Sequence, residues 1–145
     1  MHMRAATMDD AAVVGALMRE LGYELDDAEA ARRLEAVLGT GCDEVNLLVE
    51  GGDALGLLAL RRGPALYRPL PIATITVLVV QARARRRGAG RFMIEYAIRW
   101  ARENGCCLVA LTTGRDRTEA HAFYRAVGFE ATSIRFHRNL ERHNS

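Results

Sequence analysis

From Ile72 to Val80 the chain runs through nine residues that are nearly all β-branched or aliphatic, and then breaks into a basic turn containing two glycines. A strand with no polar alternation is one buried on both faces, so it demands covering layers on either side. The turn reads Arg85-Arg86-Arg87-Gly88-Ala89-Gly90-Arg91. From Gly88 to Asn104 the pattern becomes helical. Phe92, Met93, Tyr96, Ala97, Trp100 and Ala101 share one face, and Arg91, Glu95, Arg99 and Glu103 ladder along the other. Strand, glycine-bearing turn and helix in that order build a pocket for an anion. The glycines admit a close backbone approach, and the amides at the helix start have no partner within the helix.

The rest of the chain supplies further layers. Arg4 to Thr7 reads as a first strand, and Thr7 as an N-cap with Asp9 and Asp10 at the positive helix start. Val13, Val14, Leu17, Met18 and Leu21 form an apolar stripe that Gly22 ends; a second helix runs from Asp27 to Leu38, stopped by Gly39. Val45–Glu50 and Ala54–Arg61 read as strands joined by the hairpin turn Gly51-Gly52-Asp53. Gly63 to Pro71, with Pro64, Pro69 and Pro71, is a loop. Cys107–Thr112 is a strand, Asp116–Ala126 a short helix stopped by Gly128, and Glu130–Leu140 a last strand. The order βααβββαβαβ predicts a mixed α/β (α+β) architecture with one sheet, in a single domain over residues 1–145.

Composition removes several chemistries. All 20 basic residues are Arg, so neither a Schiff-base lysine nor a P-loop lysine is available. Serine occurs only at 133 and 145, which leaves no serine-hydrolase triad. Cys42, Cys106 and Cys107 form neither a disulfide framework nor a zinc pattern, and are expected to be small buried hydrophobes in a reducing compartment, with no metal. No apolar run reaches the ~20 residues that cross a bilayer, and the start has no signal-peptide core, so the expectation is a cytoplasmic protein without a membrane partner. The net charge of +2 does not argue for nucleic acid. The arginine run lacks the aromatic platforms and helix-turn-helix or zinc-finger patterns that would accompany a nucleic-acid surface.

The turn also fails the dinucleotide fingerprint, since Gly88-Ala89-Gly90-Arg91-Phe92-Met93 has no third glycine. Together with the later string Ala120-x-x-Phe123-Tyr124-x-x-x-Gly128-Phe129, it resembles the Gcn5-related N-acetyltransferases (GNAT). The resemblance runs from the Arg4-Ala5-Ala6-Thr7 opening to the Gly128-Phe129 turn. It implies a single mixed, mostly antiparallel sheet, splayed near Val79 and flanked by helices on both faces. It implies acetyl-CoA as co-substrate. Arg85, Gly88 and Gly90 match the motif that holds the pyrophosphate, while Arg86, Arg87, Ala89 and Arg91 supply flanking amides and charge. The backbone of Leu78, Val79 and Val80 would pair with the pantetheine arm. Tyr124 matches the tyrosine that sits near the coenzyme sulfur. As a phenol of pKa about 10 it would protonate a departing thiolate whose conjugate pKa is near ~8.5.

Two positions depart from the family pattern. Arg117 stands where many members carry Asn, and Thr74 where many carry the general base Glu. That leaves the base unassigned among a water relay, a residue such as Glu24, Glu50 or His121, and a substrate that arrives already neutral, and Thr112 and Thr113 could line the acetyl channel. The acceptor implied is a primary amine on a small molecule or peptide. The Leu21–Leu38 region and the Pro64–Pro71 loop would wall it, and Asp26, Asp27, Glu29, Asp43 and Glu44 would attract a cation such as a polyamine or an aminoglycoside. Two other classes stay open at this point: an acyl-CoA sensor lacking a base, and an arginine-rich nucleic-acid binder. Exposed edge strands leave room for a homodimer.

Overall fold

The computed structural model describes residues 1–113 and 117–141, in two compact units that divide after Leu111. The first unit holds one five-stranded sheet, β1 (His2–Ala5), β2 (Asp43–Glu50), β3 (Asp53–Gly63), β4 (Ile72–Val80) and β5 (Leu108–Leu111), ordered as in the chain. The first four strands are antiparallel and β4–β5 is parallel, which makes the sheet mixed. Three helices join it: α1 (Ala11–Glu20), α2 (Asp27–Leu38) and α3 (Ala89–Glu103). β1 starts two residues earlier than its pattern suggests. Thr7 is drawn out of it, because its N–H is needed by Asp10 Oδ2 at 2.8 Å as the chain turns through Met8–Asp10 into α1.

Alternation along the strands assigns the faces. Val45, Leu47, Val49, Leu57, Ala59 and Val79 pack against Val14 and Leu17 of α1 and Leu34 of α2. The alternate residues face α3: fully buried Asn46 on β2 accepts the Tyr96 hydroxyl of α3 at 3.3 Å. The stripe that α3 buries is Ala89, Met93, Ala97 and Ala101 at fourfold spacing, together with Ile94; Phe92, Tyr96 and Trp100 are half-buried at its margin.

Gly56 fixes the height of α3 above the sheet. A Cβ there would lie 2.9 Å from the Val79 carbonyl oxygen and 3.0 Å from both the Met93 sulfur and its terminal methyl. Residue 56 must be glycine for Met93, itself fully buried, to reach the strand.

β4 departs from the both-faces burial expected of it. Its pairing with β5 runs from Ile72↔Leu108 to Ile75↔Leu111 and stops, so Val77–Val80 pair with β3 alone among the described residues. A bulge at the same place leaves Thr76 opposite no residue, since Ala59 pairs with Val77 and Leu60 with Ile75. Thr76 is exposed, and Val77, Leu78 and Val80 are half-buried.

In the second unit α4 (Thr118–Ala126) ends at Gly128, whose φ of 98° is the left-handed stop. The expected start of this helix at Asp116 lies outside the described residues. The expected last strand, Glu130–Leu140, does not form. Its period-two alternation is real, but Ile134, Phe136 and Leu140 are exposed and no described strand pairs with the segment, and alternation without a neighbouring edge makes no ladder. The cysteines also differ from expectation. All three are free thiols, but Cys42 and Cys107 are exposed, because each sits in a turn at a strand end rather than in a packed layer. No helix among the described residues is long and apolar enough to cross a membrane.

Candidate active site

After Val80 the chain leaves the sheet at Gln81, whose N–H still reaches the Leu55 carbonyl at 2.8 Å, and makes a 3₁₀ turn over Ala82–Ala84. Ala84 is fully buried and anchors the turn to the core. Arg85 is extended, Arg86 adopts φ 66°, and Gly88 adopts φ 79° and caps α3. Arg86 is the only non-glycine residue with positive φ among those described, a conformation that usually costs on the order of 1 kcal/mol or more.

α3 has no side-chain cap, and its first intrahelical bond is Phe92 N–H to the Gly88 carbonyl at 3.0 Å. The N–H groups of Ala89, Gly90 and Arg91 therefore have no acceptor within the helix, and no acidic residue sits in the first turn. Uncapped amides at the positive end of a 15-residue helix, beside the exposed side chains of Arg85, Arg86 and Arg91, form an anion-receiving surface. That chemistry fits the diphosphate of a coenzyme A thioester.

Not every arginine of the run is available. Arg87 Nη2 is bonded to Glu50 Oε1, while Arg83 bonds Gln81 Oε1 and lies 3.7 Å from Asp53. Just before the turn, β4 ends in Leu78, Val79 and Val80, which pair with β3 alone among the described residues. The residues expected to hold the coenzyme thus follow one another in the first unit, from the end of β4 to the start of α3.

Tyr124 belongs to the second unit. It is half-buried on α4, edge-on to Phe123 (centroids 5.4 Å apart) and to Phe129 (5.9 Å). Burial raises the pKa of its hydroxyl, and the positive charge of Arg117, two helical turns away, works against that rise. The phenol is protonated at neutral pH and able to donate. Thr112 Oγ1 accepts a bond from Arg135 at 3.3 Å, while the buried Thr113 hydroxyl has no partner among the described residues.

The candidate bases separate. Glu50 is committed to Arg87, whose guanidinium holds its carboxyl below the usual carboxylate range, and so is a poor proton acceptor. Thr74 is locked in the ladder between Arg61 and Ala110. Glu24 is exposed and His121 half-buried. The acids expected to draw in a cation are largely consumed internally. Asp26 caps α2 through the Glu29 amide, Asp27 pairs with Arg19, and Glu29 pairs with Arg32 and Arg33. Asp43 bonds Arg61 and Thr40, and Glu44 accepts from Asn46. Sequence reading had no signal for Thr76, the exposed bulge where β5 leaves β4, nor for Glu20, whose Oε1 accepts the Ala82 amide at 2.7 Å.

Comparison with known proteins decides the family. Residues 12–129 match the acetyltransferase (GNAT) family. The chain belongs to it. As a GNAT protein it is an acetyl-CoA-dependent N-acetyltransferase. It is 32% identical over 127 residues to the uncharacterized N-acetyltransferase YhdJ of Bacillus subtilis (strain 168), covering 83% of this chain and 84% of the relative. It is 31% identical over 145 residues to the aminoalkylphosphonate N-acetyltransferase of Salmonella typhimurium, covering 96% and 91%. A solved structure from Agrobacterium tumefaciens (strain C58), described as an acetyltransferase, superposes with a TM-score of 0.86 at 30% identity, covering 96% of this chain and 99% of that one. The fold is shared as well by an aminoglycoside N-acetyltransferase AAC(6')-Iy solved with CoA, at TM-score 0.84 and 20% identity, covering 96% and 94%.

Proposed function

We propose that the chain transfers an acetyl group from acetyl-CoA directly to the primary amine of a small molecule, with both substrates bound together. The observation that carries this reading is the uncapped start of α3, where the amides of Ala89, Gly90 and Arg91 follow the left-handed residues Arg86 and Gly88. These amides and the side chains of Arg85, Arg86 and Arg91 hold the diphosphate. Main-chain groups of Leu78, Val79 and Val80, at the end of β4, pair with the pantetheine arm as a neighbouring strand would. Acetyl-CoA supplies an activated thioester. A backbone N–H near Val79 stabilises charge developing on the carbonyl oxygen, and Tyr124 gives its proton to the departing sulfur; the amine, arriving neutral, releases its proton through water, and Tyr124 regains one from solvent. Holding both reactants in register is the larger part of the catalysis.

For the acceptor, the engaged acids of α2 and β2 count against a polycation such as a polyamine or an aminoglycoside. The Salmonella typhimurium relative, 31% identical, is an aminoalkylphosphonate N-acetyltransferase, and aminoalkylphosphonates unite a primary amine with an anionic head. An amine of that kind is the reading we favour. The test is calorimetric titration with acetyl-CoA on the wild type and on a Gly88→Trp, Gly90→Trp variant, followed by thiol release with aminoalkylphosphonates, polyamines and aminoglycosides. Binding lost in the folded variant, with turnover on aminoalkylphosphonates, supports the whole reading. A folded wild type that does not bind acetyl-CoA sinks it.

A further inference from the structure

The turn from Gln81 to Gly88 is fastened near both ends by carboxylates from elements remote in sequence. Glu20 accepts the Ala82 N–H at 2.7 Å, across 62 residues. Glu20 is the last residue of α1, where a carboxylate faces the negative end of the helix dipole and is unfavourable unless another partner uses it. Its neighbour Arg19 turns away, to the Leu25 carbonyl and Asp27. At the other end Glu50, the last residue of β2, takes Arg87 Nη2 at 2.5 Å, and Asp53 across the same hairpin lies 3.7 Å from Arg83.

Between these two anchors sits Arg86, in its left-handed conformation. A non-glycine residue keeps such a conformation only where its surroundings over-determine it. The turn's own backbone bonds stop short of Arg86: Ala84 N–H reaches Gln81 and Arg85 N–H reaches Ala82. Beyond Arg85 the chain is held by the pair of Arg87 with Glu50 and by buried Ala89 at the start of α3.

We infer that Glu20 and Glu50 are positioning residues for the coenzyme turn: by tying Ala82 and Arg87 they hold Arg86 and the free amides at the start of α3 in the shape that receives a diphosphate. This rests on the coenzyme reading proposed above. Neither carboxylate touches the ligand; each acts through the backbone or side chain it fastens. The opposing expectation is electrostatic: two carboxylates beside an anion site repel the anion, and removing them should tighten binding.

The full-length chain with Glu20→Ala, Glu50→Ala and both changes decides between the two, read by titration with CoA and acetyl-CoA and by steady-state kinetics. The double variant should lose about tenfold in CoA affinity and raise the KM for acetyl-CoA alike, with kcat at saturation and the ligand-free melting midpoint kept. Glu20→Gln, which retains an oxygen to accept the Ala82 amide, should restore most of the loss caused by Glu20→Ala. Affinity unchanged or improved in the double variant overturns the inference. So does a loss that only follows a lowered melting midpoint, or a failure of Glu20→Gln to rescue. If the wild type itself binds no CoA, the coenzyme reading falls and this inference with it. If binding is abolished by Gly88→Trp, Gly90→Trp yet indifferent to the carboxylates, only this inference falls.

Discussion

The Met93 thioether stands 3.0 Å from the point that a Cβ on Gly56 would occupy, so a strand residue and a helix residue 37 positions apart set one another's size. Gly56→Ala should destabilise the chain by about 1–3 kcal/mol, the usual range for overpacking a filled core. Because Met93 lies one turn into α3, acetyl-CoA affinity should fall as well. Urea denaturation checks the first effect. In a double-mutant cycle with Met93→Ala, the two losses should sum to more than the loss of the double variant.

Arg4 grips Asp10 with two bonds of 2.8 Å each, and Asp10 is buried with a carboxyl lowered to about 2, chiefly by that guanidinium. A depressed carboxyl pKa stabilises the fold above the unfolded value near ~4, and the contribution disappears as pH falls through the folded value. Because Arg4 is partly exposed, solvent screening keeps the contribution of the pair below what the shift alone would suggest. Asp10→Asn should therefore be less stable than wild type at pH 7, and the gap should shrink as the pH is lowered from about 4 towards 2. A gap independent of pH would refute the assignment.

Arg86→Gly separates strain from charge. Glycine takes up the φ of 66° without a Cβ penalty, so stability should hold or rise by up to about 1 kcal/mol. Acetyl-CoA affinity should nonetheless fall, and its dependence on salt should become shallower, because one basic group has left the surface. Titration at two ionic strengths, beside a urea melt, reads both.

Tyr124→Phe should bind acetyl-CoA as well as wild type and lose on the order of 10²- to 10⁴-fold in kcat, the usual yield of a positioned acid. Burial raises the phenol's pKa, so the alkaline limb of the wild-type kcat profile should lie above the ordinary tyrosine value and vanish in the variant. Retained turnover in Tyr124→Phe would remove Tyr124 from the mechanism.

The local signals in the chain proved good guides. The aliphatic run at Ile72–Val80, the hairpin at Gly51-Gly52 and the stops at Gly39 and Gly128 each became the element they suggest, since each is decided within a few residues. What was not legible depends on partners far away. Thr76 carries no mark of a bulge, because the bulge is set by how β3 registers against β4. Glu20 reads as an exposed helix-end acid until the fold brings Ala82 to it. Asp27, Glu29 and Asp43 look like a free acidic face in sequence, and only the folded chain shows the arginines that occupy them. Segment 130–140 fails for the converse reason: its alternation promises a strand, and a strand exists only where an edge receives it.

The point where β5 leaves β4 also governs how this protein should be handled at the bench. Under the proposed pairing of the pantetheine arm with β4, whose end pairs with β3 alone among the described residues, the empty chain has fewer bonds than the loaded one, and melting curves taken without ligand report a lower bound on stability in the presence of acetyl-CoA. The surplus grows with the logarithm of ligand concentration, reaching about 2.7 kcal/mol at one hundred times the dissociation constant. Simple thermal shift then doubles as a ligand screen, one that needs no knowledge of the acceptor.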